Sequence, residues 1–207
     1  MQSELLNALY SRHTEKLQRT ILSSKIAVCG LGGIGSHTAV FLARLGVGNL
    51  HIIDFDVVDV SNIHRQSYFP HQIGMKKTDA LKNIINSISP FTQVICDDAA
   101  LGRDNIPSLL KNDEIICECF DSAEAKAELS DTVLTLMPEK YVVAVSGVAG
   151  TSGANEVKTR CITEHFYLCG DGVSDVEGSC LFAPKVALCS AHQALTVLQI
   201  IKERNTK

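Results

Sequence analysis

Hydrophobic residues in this chain form short runs that alternate with longer segments of helical periodicity. The runs are apolar at nearly every position, which is typical of strands buried on both faces of a parallel sheet. They predict strands at 26–29, 50–53, 93–96, 115–120 and 141–145. Between the runs, apolar residues three and four positions apart predict helices at 33–45, 76–87 and 122–137. This alternation indicates an α/β fold with a doubly wound, mostly parallel sheet.

The N-terminal segment predicts a helical addition to that sheet. Leu5, Leu6 and Leu9 are spaced for one helical face, so we expect a helical arm over residues 1–22. The whole chain has 207 residues, of which 45% are hydrophobic, enough to bury one substantial core. We therefore expect a single domain, 1–207.

The C-terminal third predicts a loop and an extension of the sheet. Small, turn-prone residues begin at Ser146, and weaker strand patterns follow at 156–162 and 165–168. We interpret 146–183 as a substrate loop together with an antiparallel extension of the sheet. Apolar residues at helical spacing then predict a last helix at 184–202.

Four glycines follow the first predicted strand and precede a predicted helix: Gly30, Gly32, Gly33 and Gly35. Glycine permits positive φ and close approach by a phosphate, while a helix N-terminus offers free N–H groups and the positive end of its dipole. The pattern thus predicts a phosphate-binding loop in a Rossmann-like fold. The alternative is a glycine-rich turn that binds nothing, because the motif alone is weakly specific.

Polar residues after the second predicted strand indicate which nucleotide this loop binds. Asp54 ends that strand about 20 residues beyond the glycines, the spacing at which a carboxylate meets ribose hydroxyls. NAD and ATP both fit this requirement. A triphosphate attacked at its α-phosphorus also needs cations, since negative charge builds up on its oxygens and on the departing pyrophosphate. Further polar residues therefore favour ATP, although each cation could be merely solvated: Asp56, Asn62, Arg65, Gln66, Lys76 and Lys77.

Taken together, five motifs resemble the ThiF/MoeB/HesA family, which is related to the ubiquitin-activating enzymes. They are GLGGIG at 30–35, DFD at 54–56, SNIHRQ at 61–66, the lysine of GMKK at Lys76, and CFDS at 119–122. The resemblance runs from about residue 11 to residue 201. It implies an adenylyltransferase that activates a ubiquitin-like sulfur carrier. YLCGD at 167–171 and APKVALCSAHQA at 183–194 are similar to the short ThiF branch of thiamine biosynthesis.

The resemblance also implies roles for single residues. Asp54 would contact the ribose, Arg65 and Lys76 would contact the triphosphate, and Asn62 and Gln66 would shape the same pocket. Asp121 follows the fourth predicted strand, where a carboxylate can join phosphate oxygens in binding Mg²⁺. Arg12 resembles a family arginine that reaches into the active site of a neighbouring subunit, which implies a homodimer. A solvated arginine at a helix end is the alternative for Arg12.

The net charge and the hydropathy argue against two classes of partner, nucleic acids and membranes. The formal net charge of −4 argues against a nucleic-acid-binding surface. No stretch approaches the roughly 18 apolar residues needed to cross a bilayer. The first four residues, MQSE, lack the basic start of an export signal. We therefore expect a cytoplasmic protein without nucleic-acid or membrane partners.

The eight cysteines predict reduced thiols rather than a disulfide scaffold. Several lie on predicted buried strands, where cysteine behaves as a small hydrophobic residue. Many members of the resembled family hold zinc with two CxxC pairs, whereas this sequence contains no CxxC, and Gly172 stands three positions after Cys169. We expect no zinc site. Four sulfurs could still supply tetrahedral ligands, without the usual paired spacing: Cys161, Cys169, Cys180 and Cys189.

Some family members also use a cysteine nucleophile shortly before the last helix. In this sequence that position falls on Val176, and Cys180 is the nearest thiol. A nucleophilic thiol needs a cation or a helix N-terminus to lower its pKa, and the sequence indicates no such partner. We therefore favour a packing role for Cys180.

The function these observations favour is adenylylation of the C-terminal carboxylate of a ubiquitin-like, ThiS-like sulfur carrier by ATP and Mg²⁺. If the resemblance holds, that carboxylate ends a Gly-Gly tail, and a sulfur donor protein is a further candidate partner. Three alternatives stay open at this point. They are an adenylating dehydratase that acts on a modified tRNA, an NAD-binding protein that uses the same loop and Asp54, and a scaffold without turnover.

Overall fold

The computed structural model describes residues 2–174 and 180–204, and a seven-stranded sheet forms the centre of that part of the chain. The strands are β1 (Lys25–Cys29), β2 (Asn49–Ile53), β3 (Gln93–Asp97), β4 (Ile115–Glu118), β5 (Tyr141–Val145), β6 (Lys158–Thr163) and β7 (Phe166–Gly170). Their order across the sheet is β3-β2-β1-β4-β5-β7-β6. Every neighbouring pair is parallel except β6 and β7. The expectation of a doubly wound, mostly parallel sheet is confirmed.

Helices cover both faces of this sheet. They are α1 (Gln2–Leu9), α2 (Glu15–Ser23), α3 (Gly33–Leu45), α4 (Lys77–Ile88), α5 (Ile106–Leu109), α6 (Ala123–Leu136) and α7 (Ala183–Arg204). Short 3₁₀ helices lie at Val60–Asn62, Pro70–Gln72 and Ala154–Glu156. Within the part of the chain described above, no helix is both long enough and apolar enough to span a bilayer.

The inner strands are apolar throughout because they supply two separate clusters, one on each face. Successive strand residues point to opposite faces. On one face, strand residues pack with α3, α4 and α7, as illustrated by Val28, Ile52, Leu42, Leu81 and Val197. On the other face they pack with α5 and α6, as illustrated by Ala27, Ile53, Ile106, Leu129 and Val133.

The C-terminal extension differs in one detail from the sequence expectation. Only β6, at the edge, runs antiparallel to the rest, whereas β7 pairs in parallel with β5. The residues between β5 and β6 carry the chain past the position of β7, so the returning strand fills the gap between them. The two weak strand patterns are therefore one hairpin whose second strand joins the main sheet.

The N-terminal arm packs at the end of α3 that is remote from the glycine loop. The Tyr10 ring lies against Gly46, where an added Cβ would be 2.7 Å from Tyr10 Cζ, and its hydroxyl lies 3.2 Å from Ser89 Oγ. α2 begins at Thr14, whose side chain accepts a hydrogen bond from Leu17 N. Ile21 on α2 is buried in the core. The predicted helical arm is therefore present.

The order of the strands predicts where a ligand would bind. Strand connections reverse direction between β1 and β4, and in such sheets the loops after these two strands separate and leave a crevice at their carboxyl ends. The residues that end β1, β2, β4 and β5 thus meet at one edge.

Candidate functional site

A cleft of about 840 Å³ lies at this carboxyl edge, and we call it the central cleft. The structure brings most of the sequence-predicted site residues to its lining: Gly30, Gly32, Gly33, Asp54, Asp56, Asn62, Arg65, Gln66 and Asp121. Gly35, Lys76 and Arg12 are not among the described residues that line it. The central cleft also contains Lys77, which the sequence indicated only as one of the polar residues that favour ATP, and Lys126, which it did not indicate.

The glycines at the floor of the central cleft have two different physical tasks. Gly30 has a φ of +87°, and a Cβ there would lie 3.0 Å from the Cys119 carbonyl oxygen. Gly35 lies behind the loop, where a Cβ would be 1.8 Å from the Gly30 carbonyl oxygen. These two glycines let α3 pack against the end of β1. At Gly32 the nearest atom to an added Cβ is Gln66 Nε2 at 3.9 Å, so space is open there.

The N-terminus of α3 points at that open space. Gly32 is the N-cap residue, and no side chain caps the first turn of the helix. The N–H groups at the start of an α-helix have no partner within the helix, and they carry the positive end of its dipole. This end of α3 is therefore suited to an anion such as a phosphate group.

Asp54 connects the glycine loop to the end of β2. Its Oδ2 accepts a hydrogen bond from Leu31 N at 2.6 Å, and its Oδ1 accepts one from Asp56 N at 2.7 Å. Each carboxylate oxygen has a second lone pair, so Asp54 keeps acceptor capacity for a hydroxyl group in the central cleft. The Asp54 side chain thus stabilises the glycine loop and is also a candidate ribose contact.

The cation in this part of the central cleft is Lys77 rather than Lys76. Lys77 Nζ lies 2.6 Å from Asp56 Oδ2 and 3.8 Å from Asp54 Oδ2, and its side chain is only 7% exposed. Lys76 is the N-cap residue of α4, more than half exposed, and its ammonium pairs with Asp98. That hydrogen bond and the Asp98 charge raise the pKa of Lys76. Lys76 has a non-helical ψ of 137° at the N-cap position, so its side chain does not follow the helical direction of Lys77, and only Lys77 lines the cleft.

A capped turn presents Arg65 to the central cleft. Asp59 accepts a hydrogen bond from Ser61 N, while Asn62 Oδ1 accepts one from Asp59 N, so the two side chains close the turn reciprocally. Arg65 Nη1 donates to the Ser61 carbonyl at 2.8 Å. Among the described residues Arg65 has no carboxylate partner, which leaves its charge available to a bound anion.

Gln66 contains a polar atom that lacks a partner. The residue is 9% exposed, and its Oε1 is buried without a hydrogen bond from any described residue. A buried acceptor of this kind costs free energy unless a ligand or water satisfies it. Gln66 lines the central cleft, where its Nε2 is the atom nearest to an added Cβ at Gly32.

The end of β4 supplies a buried ion pair and an exposed carboxylate. Both carboxylate oxygens of Glu118 lie 3.1 Å from Lys126 Nζ, which also donates to the Val145 carbonyl at 2.9 Å. Burial raises the pKa of Glu118 more than Lys126 lowers it. Lys126 thereby ties β4 to the end of β5. Asp121 follows, exposed and facing the central cleft, just before the N-cap residue Ser122 of α6.

Among the described residues, Asp121 is one of four carboxylates that line the central cleft, with Asp54, Asp56 and Asp59, and its contact with a magnesium ion stays a prediction. Mg²⁺ in such sites takes one or two carboxylates and completes its shell with phosphate oxygens and water. Within residues 2–174 and 180–204, no group of three or more His, Cys, Asp and Glu side chains could hold a metal by itself. Any ion at Asp121 would therefore need ligands from the nucleotide.

Arg12 lies at the opposite end of the fold from the central cleft. It is exposed and follows Tyr10, which packs on Gly46 just after the last turn of α3. The cleft is at the first turn of the same helix, and the 13 residues of α3 span about 20 Å. An arginine side chain cannot bridge that distance, so Arg12 does not reach the cleft of its own chain.

The cysteines are all free thiols in this structure, and each of them lies among the described residues. Cys119 lines the central cleft, where burial raises the pKa of its thiol well above the usual range. Of the four considered for zinc, Cys161 and Cys180 are exposed, while Cys169 and Cys189 are buried. Val176, the position aligned with a family nucleophile, lies outside the described residues.

Sequence reasoning missed or misassigned several site residues. It named Lys77 only among the polar residues that favour ATP and gave the triphosphate contact to the neighbouring Lys76, and only the start of α4 distinguishes the two. Lys126 lies in a helix whose sequence looks ordinary, and its partners Glu118 and the Val145 carbonyl belong to two different strands. Only knowledge of the strand order would have indicated that α6 and α7 contribute to the cleft.

Comparison with known proteins identifies relatives along the whole chain. Residues 6–207 match the ThiF family. The adenylyltransferase and sulfurtransferase UBA4 of Candida glabrata is 30% identical over 192 residues, which cover 89% of this chain and 44% of that protein. The molybdopterin-synthase adenylyltransferase of Salmonella typhimurium is 26% identical over 190 residues, which cover 89% of this chain and 75% of that protein. The chain thus spans less than half the length of the Candida glabrata relative.

A solved structure has the same fold. The E. coli tRNA N6-threonylcarbamoyladenosine dehydratase TcdA, determined in complex with ATP, superposes with a TM-score of 0.87 at 19% sequence identity. The match covers 97% of this chain and 95% of that one. At this level of identity the likeness establishes the Rossmann-like architecture, including the C-terminal hairpin, and no more.

Proposed function

Because the chain belongs to the ThiF family, we propose that it adenylylates a carboxylate with ATP and releases pyrophosphate. The acceptor that we propose is the C-terminal carboxylate of a ubiquitin-like sulfur carrier that ends in Gly-Gly. Relatives named as adenylyltransferases support the reaction class. The finer assignment to a ThiS-like carrier of thiamine biosynthesis stays a prediction from the sequence resemblance.

One observation carries the proposal: an anion-binding loop, unpaired or partly paired cations and an exposed carboxylate converge on a single cleft. The free N–H groups of α3 suit a phosphate, and the open space at Gly32 leaves room for it. The remaining acceptor capacity of Asp54 suits the ribose hydroxyls.

The proposed reaction needs alignment and charge neutralisation more than covalent chemistry. An oxygen of the acceptor carboxylate attacks the α-phosphorus of ATP, the bond to the bridging oxygen breaks, and pyrophosphate leaves with the electron pair. Two anions must approach each other, so cations that stabilise the added charge supply most of the rate. We assign this task to Arg65 and Lys77. Lys76, which the sequence resemblance selected, takes no part in this proposal because it does not line the cleft and its ammonium pairs with Asp98.

The described residues fit a magnesium ion brought by ATP. Asp121 presents an exposed carboxylate to the central cleft and has no hydrogen-bond or ion-pair partner among the described residues. Bound Mg²⁺ would neutralise charge on the phosphates. Asp121, directly before the N-cap residue Ser122 of α6, would hold the ion together with the phosphate oxygens.

We also propose that the protein acts as a homodimer in which Arg12 enters the partner's cleft. Arg12 is exposed on an arm at the far end of α3 and cannot reach the cleft of its own chain. A second copy could place the same arginine beside the triphosphate. This arrangement would add a third cation to Arg65 and Lys77.

Carrier-dependent exchange of labelled pyrophosphate into ATP tests the proposed activity. We expect exchange with an intact ubiquitin-like carrier and none with a carrier that lacks its last residue, because the attacking carboxylate is then displaced. NAD should not compete with ATP. Exchange that is independent of the carrier terminus would contradict the proposed acceptor.

A second candidate acceptor is a carboxylate on modified tRNA. The fold likeness to TcdA, which extends over 95% of that chain, favours this candidate. The net charge of −4 disfavours it, because tRNA binding generally requires basic surface. Parallel exchange assays with a carrier protein and with threonylcarbamoylated tRNA separate the two acceptors.

A further inference from the structure

The central cleft has a wall at its β5 and β7 side that no nucleotide contact explains. Residues 146–148 follow β5 and residues 172–174 follow β7, and both segments line the cleft. The glycine loop and Asp54 lie across the cleft, at the ends of β1 and β2. If the ribose is at β2 and the phosphates at β1, an acceptor that approaches the α-phosphorus must lie toward β5 and β7. We call these two segments the acceptor wall.

The two segments of the acceptor wall join each other by backbone hydrogen bonds. Gly172 N donates to the Ser146 carbonyl at 3.2 Å, and Asp171 N donates to the Gly147 carbonyl at 3.1 Å. Gly147 has a φ of +78°, and a Cβ there would lie 2.0 Å from Asp171 Oδ1. The Asp171 carboxylate is thus packed directly beneath the backbone of the wall.

A buried ion pair fixes the wall to the start of α7. Lys185 Nζ lies 2.6 Å from Asp171 Oδ2, and the two side chains are only 8% and 7% exposed. The same ammonium donates to the Ala149 carbonyl and, at 2.7 Å, to Ser152 Oγ. Lys185 is therefore the point at which the loop after β5, the loop after β7 and α7 meet.

Asp171, the partner of Lys185 in this ion pair, also accepts hydrogen bonds from the loop after β7. Its Oδ1 accepts hydrogen bonds from Val173 N at 2.9 Å and from Ser174 N at 2.8 Å. Burial alone would raise the pKa of Asp171, but the hydrogen bonds from Lys185, Ser174 and Val173 lower it far below its usual range. The carboxylate thus orders the turn that forms the lower half of the wall.

The segment that follows residues 146–148 of the acceptor wall borders a second cavity. This cavity, of about 220 Å³, lies between the glycine-rich segment 150–154 and the side chains of Phe182 and Leu188. Lys185 and Ser152 line this cavity as well. Without Lys185, the segment 149–153 would lose its hydrogen bonds to the Lys185 ammonium, and the neighbouring cavity would leave it room to move.

We propose that Lys185 and Asp171 are positioning residues that hold the acceptor wall in line with the α-phosphorus, so that the incoming carboxylate is correctly placed. This inference rests on the proposed adenylylation and assigns one part of it to a pair of residues outside the nucleotide contacts. Displacement of reacting groups by about 1 Å can lower a rate by about a hundredfold. The pair therefore acts on the acceptor and leaves ATP binding to the β1 and β2 side.

The test compares Lys185→Met and Asp171→Asn with a matched control, Lys140→Met. Lys140 is also a buried lysine that anchors carbonyl groups, those of Lys111 at 3.0 Å and Asp113 at 2.5 Å, but it lies at the opposite edge of the sheet. For the two wall variants we expect the KM for the acceptor to rise at least about tenfold while the KM for ATP stays within about twofold. Lys185→Arg should recover part of the loss. Lys140→Met should change neither KM, whatever its effect on thermal stability.

Two results would overturn the inference: equal rises in both KM values, or an acceptor KM in Lys185→Met that matches wild type. A wild-type protein that adenylylates neither a carrier nor modified tRNA would instead refute the proposed function. In that case amide hydrogen exchange still tests whether Lys185 and Asp171 hold the acceptor wall in place. Exchange of residues 147–153 should accelerate at least about tenfold in Lys185→Met and not in Lys140→Met. Unchanged exchange in Lys185→Met would refute the positioning role.

Discussion

The atoms nearest to each glycine of the loop determine whether that glycine is needed for folding or for ligand binding. Gly35 leaves no room for a side chain, because a Cβ would sit 1.8 Å from the Gly30 carbonyl oxygen. Gly32 has ample room within the protein, since its nearest neighbour to an added Cβ is 3.9 Å away. One glycine is therefore required by folding, and the other is required only when a ligand occupies the space.

This difference gives a matched pair of substitutions. Gly35→Ala should lower the free energy of unfolding by about 3 kcal/mol or more, because backbone atoms of two elements would have to separate. Gly32→Ala should change stability by less than about 1 kcal/mol yet weaken ATP binding at least about tenfold, because the methyl group would occupy the phosphate position. Denaturant unfolding and calorimetric titration with ATP measure the two effects. Equal loss of stability in both variants would contradict this division.

The neighbouring lysines of α4 provide the second test at this scale. Lys77→Ala should slow pyrophosphate exchange by about 10²–10³-fold, the usual cost of removing a group that stabilises developing charge. Lys76→Ala should stay within about twofold of wild type, because its ammonium faces Asp98. Melting temperatures of both variants serve as the control for folding. The reverse order of effects would restore the assignment that the sequence resemblance gives.

At the scale of secondary-structure elements, the His51 side chain connects three segments of the chain. It lies within β2, with Nδ1 at 2.8 Å from Asp113 Oδ2 and Nε2 at 2.7 Å from Asp97 Oδ2. Asp97 ends β3 and Asp113 precedes β4, so one imidazole connects β2 to the end of β3 and to the turn before β4. Burial lowers the pKa of His51, while Asp113 and then Asp97 raise it by more, so the net shift is upward.

The direction of this shift predicts how stability depends on pH. A pKa that is higher in the folded state than the usual value of about 6.5 stabilises the protein fully below that value. The contribution disappears as the pH rises through the folded-state pKa. We therefore expect the difference in free energy of unfolding between wild type and His51→Gln to be larger at pH 6 than at pH 9. Denaturant titrations at both values measure it, and a difference independent of pH would contradict the charged pair.

Sequence reasoning predicted elements well and contacts between elements poorly. The inner strands β1, β2, β4 and β5 were predictable because each is apolar at nearly every position. Gly30 to Gly35 and Asp54 were predictable because they follow strands directly. The distinction between Lys76 and Lys77 depends on the residue at which α4 begins, which periodicity gives only within a turn. The pairing of Lys185 with Asp171 joins residues on different elements, and no local pattern encodes it.

At the scale of the whole molecule, the position of Arg12 leads to a prediction about the oligomeric state. Its arm ends about 20 Å from the cleft of the same chain, at the other end of α3. Light scattering should therefore show a dimer, since a closed twofold arrangement lets each arm reach the other cleft. A protein that is monomeric at working concentration and still active would remove Arg12 from the site.

Mixing of two inactive variants tests the same arrangement functionally. Each site of the proposed dimer takes Lys77 from one chain and Arg12 from the other. An equal mixture of Lys77→Ala and Arg12→Ala should therefore recover about a quarter of wild-type exchange, because half the dimers are mixed and one of their two sites is intact. No recovery after subunit exchange would place both residues in one chain's site or leave Arg12 outside it.

The central claim, that the cleft adenylylates a carboxylate, has a direct chemical test. A candidate ubiquitin-like carrier is incubated with this protein, ATP and Mg²⁺, and its intact mass is measured. We expect a species heavier by one adenylyl group at the C-terminus, absent when Lys77→Ala replaces the wild-type protein. An unmodified carrier in the presence of bound ATP, or an adenylyl group elsewhere on the carrier, would contradict the account.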